Sequence, residues 1–182
     1  MLSPAQSLHL EALAAKARAH QPIALLCVCL GNICRSPLAK ALLQHHANAR
    51  GLAPVLTIDS CGTGSWHVGA DADPRTHLIA AKHAVVLSHV ARQVDEHEDH
   101  RFDLILPMDQ RNLADLLDLG LPAERTMLFR RFDPSCAALP DHKIDVPDPY
   151  YGAHDGFQTV FDMLDAATQG LFDRLYTDKA RR

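Results

Sequence analysis

The chain has 182 residues, 47% of them apolar and 22% charged, with a net charge of -4. That length suits one domain with its own core, and the balance of charge gives no footing for nucleic acid or an anionic membrane surface. No apolar run approaches the roughly 18 to 20 residues of a membrane span and the N-terminus lacks a secretory leader's basic start and apolar core, so a cytoplasmic protein with a small or soluble partner is expected.

Ser3 and Pro4 open a helix expected over residues 3–19, where "SLHLEALAAKARA" is rich in helix formers. The apolar run "PIALLCVC" (22–29) is short and followed by a glycine, which favours a strand buried on both faces. Ser36-Pro37 then reads as the capped start of an amphipathic helix that carries Leu38, Leu42 and Leu43 and stops at Gly51. "PVLTIDS" (54–60) is a second strand, and the loop "CGTGSWHVGADA" leads to a helix from Asp73-Pro74 to about Ala84.

After a polar stretch, "FDLILP" (102–107) is a third strand, "MDQRNLADLLDLG" a third helix of the sheet region, and "RTMLFRRF" (125–132) a fourth strand. A proline-punctuated segment runs from Asp133 to Gly152, and an amphipathic helix is expected from about His154 to Thr177. Strands that alternate with helices imply a parallel sheet covered on both faces, with ligands bound beyond the carboxyl ends of the strands.

The string "CLGNICRS" (29–36) lies at the carboxyl end of the first strand. Gly31 and Asn32 tolerate positive backbone dihedrals, which would turn successive N–H groups inward to form an anion nest. The helix start adds its positive dipole end, and Arg35 adds a planar fork of donors suited to a tetrahedral oxyanion. Cys29 would then sit beneath a bound phosphate as a nucleophile, in surroundings of the kind that favour thiolates, with Ser36 as a further donor to sulfur.

C-x5-R followed by Ser in "VCLGNICRSP" resembles the low-molecular-weight protein tyrosine phosphatase family. Further matches follow in "DSCGTGSWHVG" (59–69), "SHVARQV" (88–94), "FDLILPMDQRNL" (102–113) and "VPDPYYG" (146–152), so the likeness covers most of the chain from about residue 22. The resemblance implies an α/β fold of the flavodoxin-like three-layer kind, a four-stranded parallel sheet in the order 2-1-3-4, over a phosphatase domain at 22–182. Residues 1–21 depart from the family, whose members commonly begin near the first strand, and read as a helical extension. It implies hydrolysis of phosphotyrosine without metal or other cofactor, with Cys29 as nucleophile, Arg35 as phosphate clamp and Asp148 as general acid. Leu30, Gly31, Asn32, Ile33, Cys34 and Ser36 would complete the phosphate loop, while Trp66, Tyr150 and Tyr151 would wall the slot for an aromatic ring. His89 would support Asn32 and Ser36, and Cys34 would be placed to guard Cys29 through a reversible disulfide. Phosphotyrosine proteins, a cognate tyrosine kinase among them, would be the partners.

Two rivals share the anion socket. An arsenate reductase on the same scaffold needs a downstream relay pair of cysteines, whereas Cys61 and Cys136 stand apart here. A non-catalytic phosphate-binding module has no use for Cys29, Arg35 and Asp148 together. "DEHEDH" (95–100), with His97 and His100, reads as a solvated polar stretch rather than a metal site.

Overall fold

The computed structural model describes residues 2–151 and 155–177. Its first helix, α1 (Pro4–Arg18), opens on a capping box, in which the Gln6 N–H donates to the Ser3 hydroxyl and the Ser3 N–H donates to the Gln6 side chain. β1 (Ile23–Cys29), α2 (Arg35–Ala49), β2 (Leu56–Gly62), α3 (Pro74–Lys82), β3 (Leu104–Pro107), α4 (Gln110–Asp118) and α5 (Asp155–Tyr176) follow. The expected start of the last helix at His154 lies outside the described residues, as does Gly152 of "VPDPYYG".

β1 is the middle strand, parallel to β2 on one side and to β3 on the other, with Leu25 opposite both Ile58 and Leu104. Both of its faces are covered. Ile23, Leu25, Cys27 and Cys29 point into the large core shared with α1, α2, α3 and α5, while Leu26 and Val28 meet Cys61, Ile105 and Leu116 of α4 on the other face. A continuous apolar run rather than an alternating one is what such a doubly covered strand requires.

The expected fourth strand is not formed, and the described sheet is three-stranded in the order β2-β1-β3 rather than 2-1-3-4. Residues 125–127 do lie along the free edge of β3, where the Ile105 N–H donates to Arg125 O and the Met127 N–H to Ile105 O, giving a single bridge between Ile105 and Thr126. The next donor on that edge would be residue 107, which is a proline without an N–H. The chain instead coils into a 3-10 helix over Phe129–Phe132, whose spacing of three buries both Phe129 and Phe132.

Three further details sharpen the sequence reading. β3 starts at Leu104, because Asp103 is used as a tie: its carboxylate accepts from the Ala24 N–H at the start of β1 and from Lys16 of α1. α1 buries Leu10, Leu13, Ala14 and Ala17 in the large core, so it is packed on the fold rather than trailing from it. The stretch after α3 forms no α-helix or ladder strand and only a 3-10 turn at Asp99–Arg101, yet residues 92–94 pair with Gly62 at the end of β2 and extend the same edge.

Candidate active site

β1 ends at Cys29 and α2 begins at Arg35, so the five residues between them form a loop at the carboxyl edge of the sheet. Asn32, not Gly31, takes the left-handed backbone conformation, with φ 54°. Gly31 is needed for closeness instead, since a Cβ there would stand 3.0 Å from the His67 ring. Gly62 serves the same purpose beneath the loop, where a Cβ would stand 2.7 Å from Leu30 O. That close approach lets Thr63 and Gly64 donate their N–H groups to the carbonyls of Cys29 and Leu30, so β2 holds the loop from below.

The Cys29 sulfur is 2% exposed as a residue and receives the Asn32 N–H at 3.3 Å. Ser36 does not cap α2 as expected, because the helix starts two residues earlier, at Arg35, with Cys34 in the cap position. Its hydroxyl lies 3.0 Å from Cys29 Sγ and 3.2 Å from Cys61 O, two groups that compete for its proton. The Asn32 amide donates to Ser36 Oγ at 2.8 Å and to Ser60 Oγ at 3.1 Å, and its carbonyl oxygen accepts from the Arg92 N–H. His89 reaches the backbone, with Nε2 2.6 Å from Asn32 O. Asn32 is thus held at its side chain and its carbonyl, and a residue fixed at both has no freedom to leave the left-handed conformation.

Arg35 is 2% exposed and spans two acidic partners: Nη1 meets Asp109 at 2.6 Å and Val146 O at 3.1 Å, and Nη2 meets Asp148 at 2.8 Å. Burial works against its charge, but neighbouring Cys29 and Asp148 and the hydrogen bond it donates to Asp109 raise its pKa further above an already high ordinary value. Cys34 differs from Cys29 in its surroundings, since burial first and then the Asp73 charge push its thiol up to about 12. At neutral pH Cys34 is therefore a thiol.

A cavity of about 300 Å³ opens on this arrangement, lined by the loop residues Cys29, Leu30, Gly31, Ile33, Cys34 and Arg35 and by Asp148. Trp66, Tyr150 and Tyr151 stand around it as expected, but at its mouth, with Trp66 73% and Tyr151 94% exposed. The indole lies over Gly64, where any Cβ would collide with it. Tyr150 and Tyr151 meet edge to face at 4.9 Å, and Tyr150 is 6.4 Å from the His67 ring. Among the described residues no three histidine, cysteine or acidic side chains gather as a metal site. Cys61 and Cys136 are both buried outside the cavity lining, Cys136 against Asp133.

Sequence reasoning missed Asp109, Ser60 and His67. Asp109 accepts from the Asn112 N–H and so reads as an ordinary helix cap, with nothing local to say that its other oxygen faces Arg35. Ser60 looks like one more polar strand residue. His67 was visible only as part of the "SWHVG" string.

Residues 24–181 match the family model described as low molecular weight phosphotyrosine protein phosphatase. A low molecular weight protein-tyrosine-phosphatase of Streptomyces coelicolor is 43% identical over 148 residues, which are 79% of this chain and 88% of that protein. The low molecular weight protein-tyrosine phosphatase A of Mycobacterium bovis is 39% identical over 84% of this chain and 91% of its own length. Among solved structures, a protein tyrosine phosphatase from Entamoeba histolytica crystallised with Hepes in the active site superposes with a TM-score of 0.76 at 35% identity, covering 84% of this chain and 96% of that one.

Proposed function

Since the chain belongs to the low-molecular-weight phosphotyrosine protein phosphatase family and is a hydrolase of phosphotyrosine proteins, we propose the following division of labour among its residues. The Cys29 thiolate attacks phosphorus in line, forming the S–P bond as the P–O bond to the tyrosine ring breaks. Arg35 exchanges its hold on Asp148 for the equatorial phosphoryl oxygens, joined by the N–H groups of the loop from Leu30 to Arg35. Asp148 gives its proton to the departing phenolate oxygen. Water then attacks the phosphocysteine, Asp148 takes the water's proton, and the S–P bond breaks to release phosphate and restore the thiolate.

One observation carries this reading: Cys29, Arg35 and Asp148, at 119 residues' span in the sequence, line one cavity, with Arg35 bonded to Asp148 at 2.8 Å. Asp109 holds the other end of the guanidinium and so orients it, while Ser36 is placed to donate to the sulfur when the thiolate forms or departs. Trp66, His67, Tyr150 and Tyr151 flank the path of an aromatic ring, which favours phosphotyrosine over phosphoserine. A tyrosine kinase that carries phosphotyrosine itself is one substrate of this class. No described helix is long and apolar enough to cross a membrane, and free cysteines suit the reducing cytoplasm.

The test is hydrolysis of p-nitrophenyl phosphate and of a phosphotyrosine peptide. Cys29→Ser is expected to be inert on both. Asp148→Ala is expected to lose about 100-fold on the peptide and less on p-nitrophenyl phosphate, whose leaving group needs less protonation. An active Cys29→Ser would sink the nucleophile assignment, and equal losses on the two substrates for Asp148→Ala would sink the acid assignment.

A further inference from the structure

Arg75 lies in the first turn of α3 and lines neither the phosphate loop nor the cavity, yet it sits between the two segments the reaction must keep together. Its guanidinium forms a two-pronged pair with Asp73, Nε to Oδ1 at 2.9 Å and Nη2 to Oδ2 at 2.8 Å. Asp73 is tied to the phosphate loop through its backbone, since its N–H donates to Ile33 O at 2.9 Å, the same carbonyl that accepts from the buried Thr76 hydroxyl. The remaining nitrogen of Arg75, Nη1, donates to Tyr150 O at 3.1 Å. Tyr150 in turn donates its N–H to Asp148 Oδ1 at 3.1 Å, and the other oxygen of Asp148 is on Arg35.

These bonds close a ring. It runs from Ile33 of the phosphate loop through Asp73, Arg75, Tyr150 and Asp148 to Arg35, two residues along the same loop. The Arg75 guanidinium carbon also lies 4.7 Å from the centre of the Phe157 ring and 5.5 Å from that of Tyr150, so α5 backs the same contact. Tyr151 is 94% exposed and Tyr150 37% exposed, so packing on the loop that carries Asp148 falls to the buried Val146 and Pro149 rather than to the tyrosine rings.

Resting on the assignment of Asp148 as general acid, we propose that Arg75 is a positioning residue for that acid: it holds the Tyr150 carbonyl, and through the Tyr150 N–H the Asp148 carboxyl, at a fixed place relative to the phosphate loop. When a phosphoryl group takes over Arg35, the Arg35–Asp148 bond is given up. The route through Asp73, Arg75 and Tyr150 then remains to keep Asp148 aimed at the leaving oxygen. A planar fork is required for this, because one side chain must grip a carboxylate with two nitrogens and a carbonyl with the third.

The consequence is selective. Losing Arg75 should impair proton delivery, and therefore poor leaving groups, more than nucleophilic attack. For Arg75→Ala, kcat/KM on a phosphotyrosine peptide is expected to fall about tenfold and on p-nitrophenyl phosphate less than about threefold. Arg75→Lys, which keeps the charge but not the fork, is expected to fall between wild type and Arg75→Ala. Adding Arg75→Ala to Asp148→Ala is expected to cost nothing further on either substrate, because the acid it positions is already gone.

Equal losses on the two substrates, or an undiminished loss in the Asp148→Ala background, would overturn the role of Arg75. If Asp148→Ala alone shows no dependence on the leaving group, it is the acid assignment that fails, and the positioning role falls with it. Thermal melts identify any variant that does not fold; should Arg75→Ala be one, Arg75→Gln carries the same comparison.

Discussion

His89 shows how one side chain links the loop's shape to pH. Burial, the largest influence, lowers its pKa below the ordinary 6.5, while the hydrogen bond to Asn32 O works the other way without restoring it. The unfolded chain therefore takes up a proton at a higher pH than the folded one does. Stability from this group is complete above about pH 6.5 and is lost as pH falls through the lower folded value. Asp73, held below the ordinary 3.8 by Arg75, loses its contribution only in a more acidic range. Melting temperatures between pH 7.5 and 5 are expected to fall less steeply for His89→Gln than for wild type, and parallel slopes would refute the assignment. At this scale the sequence was most legible for Cys29 and Arg35, whose types and C-x5-R spacing suggest the socket proposed for them, while Asp148 entered only through the family resemblance. It was least legible for Asp109 and Arg75, which look like an ordinary cap and an ordinary surface arginine until a partner far along the chain is brought to them.

At the scale of elements, α5 and the segment before it meet at an unusually close contact. A Cβ at Gly170 would collide with the carbonyl oxygen of Phe132, at the end of the 3-10 helix that replaces the expected fourth strand. Alanine is favoured over glycine inside a helix by about 1 kcal/mol, whereas forcing an extra group into a packed contact costs roughly 1 to 3 kcal/mol. Gly170→Ala is therefore expected to lower the midpoint of urea unfolding despite the better helix former. A raised midpoint would show that the backbone yields. The segment "RTMLFRRF" misled because its short apolar run Met127-Leu128-Phe129 suits a strand, but Phe129 and Phe132 are three apart and both find cover against the core. Pro107, on the neighbouring edge of β3, removes the donor that a longer pairing would use.

Across the whole molecule, α1 raises the question of whether the residues before β1 form a separate unit. They share the core: Leu10 and Leu13 belong to the same cluster as α2 and α5, and Lys16 reaches Asp103 at 2.8 Å. A chain whose first helix is part of one core should unfold in one transition. Leu13→Ala is expected to destabilise the entire protein by about 2 to 4 kcal/mol, with circular dichroism and tryptophan fluorescence moving together. kcat/KM at temperatures below the transition is expected to stay unchanged. A separate early transition confined to helix content would mean that α1 is an appendage.

By itself the sequence determined the alternation of strands and helices, the parallel sheet and the loop at Cys29–Ser36 for which an anion socket is proposed, because periodicity, caps and C-x5-R are local patterns whose physics acts over a few residues. The family resemblance added the reaction and the distant acid. Only the tertiary structure decided that the described sheet stops at three strands and that Asp109, Ser60 and Arg75 brace the site. Each of these depends on a partner dozens of residues away, or on one missing N–H at an edge, and such contacts exist only once the chain has closed on itself.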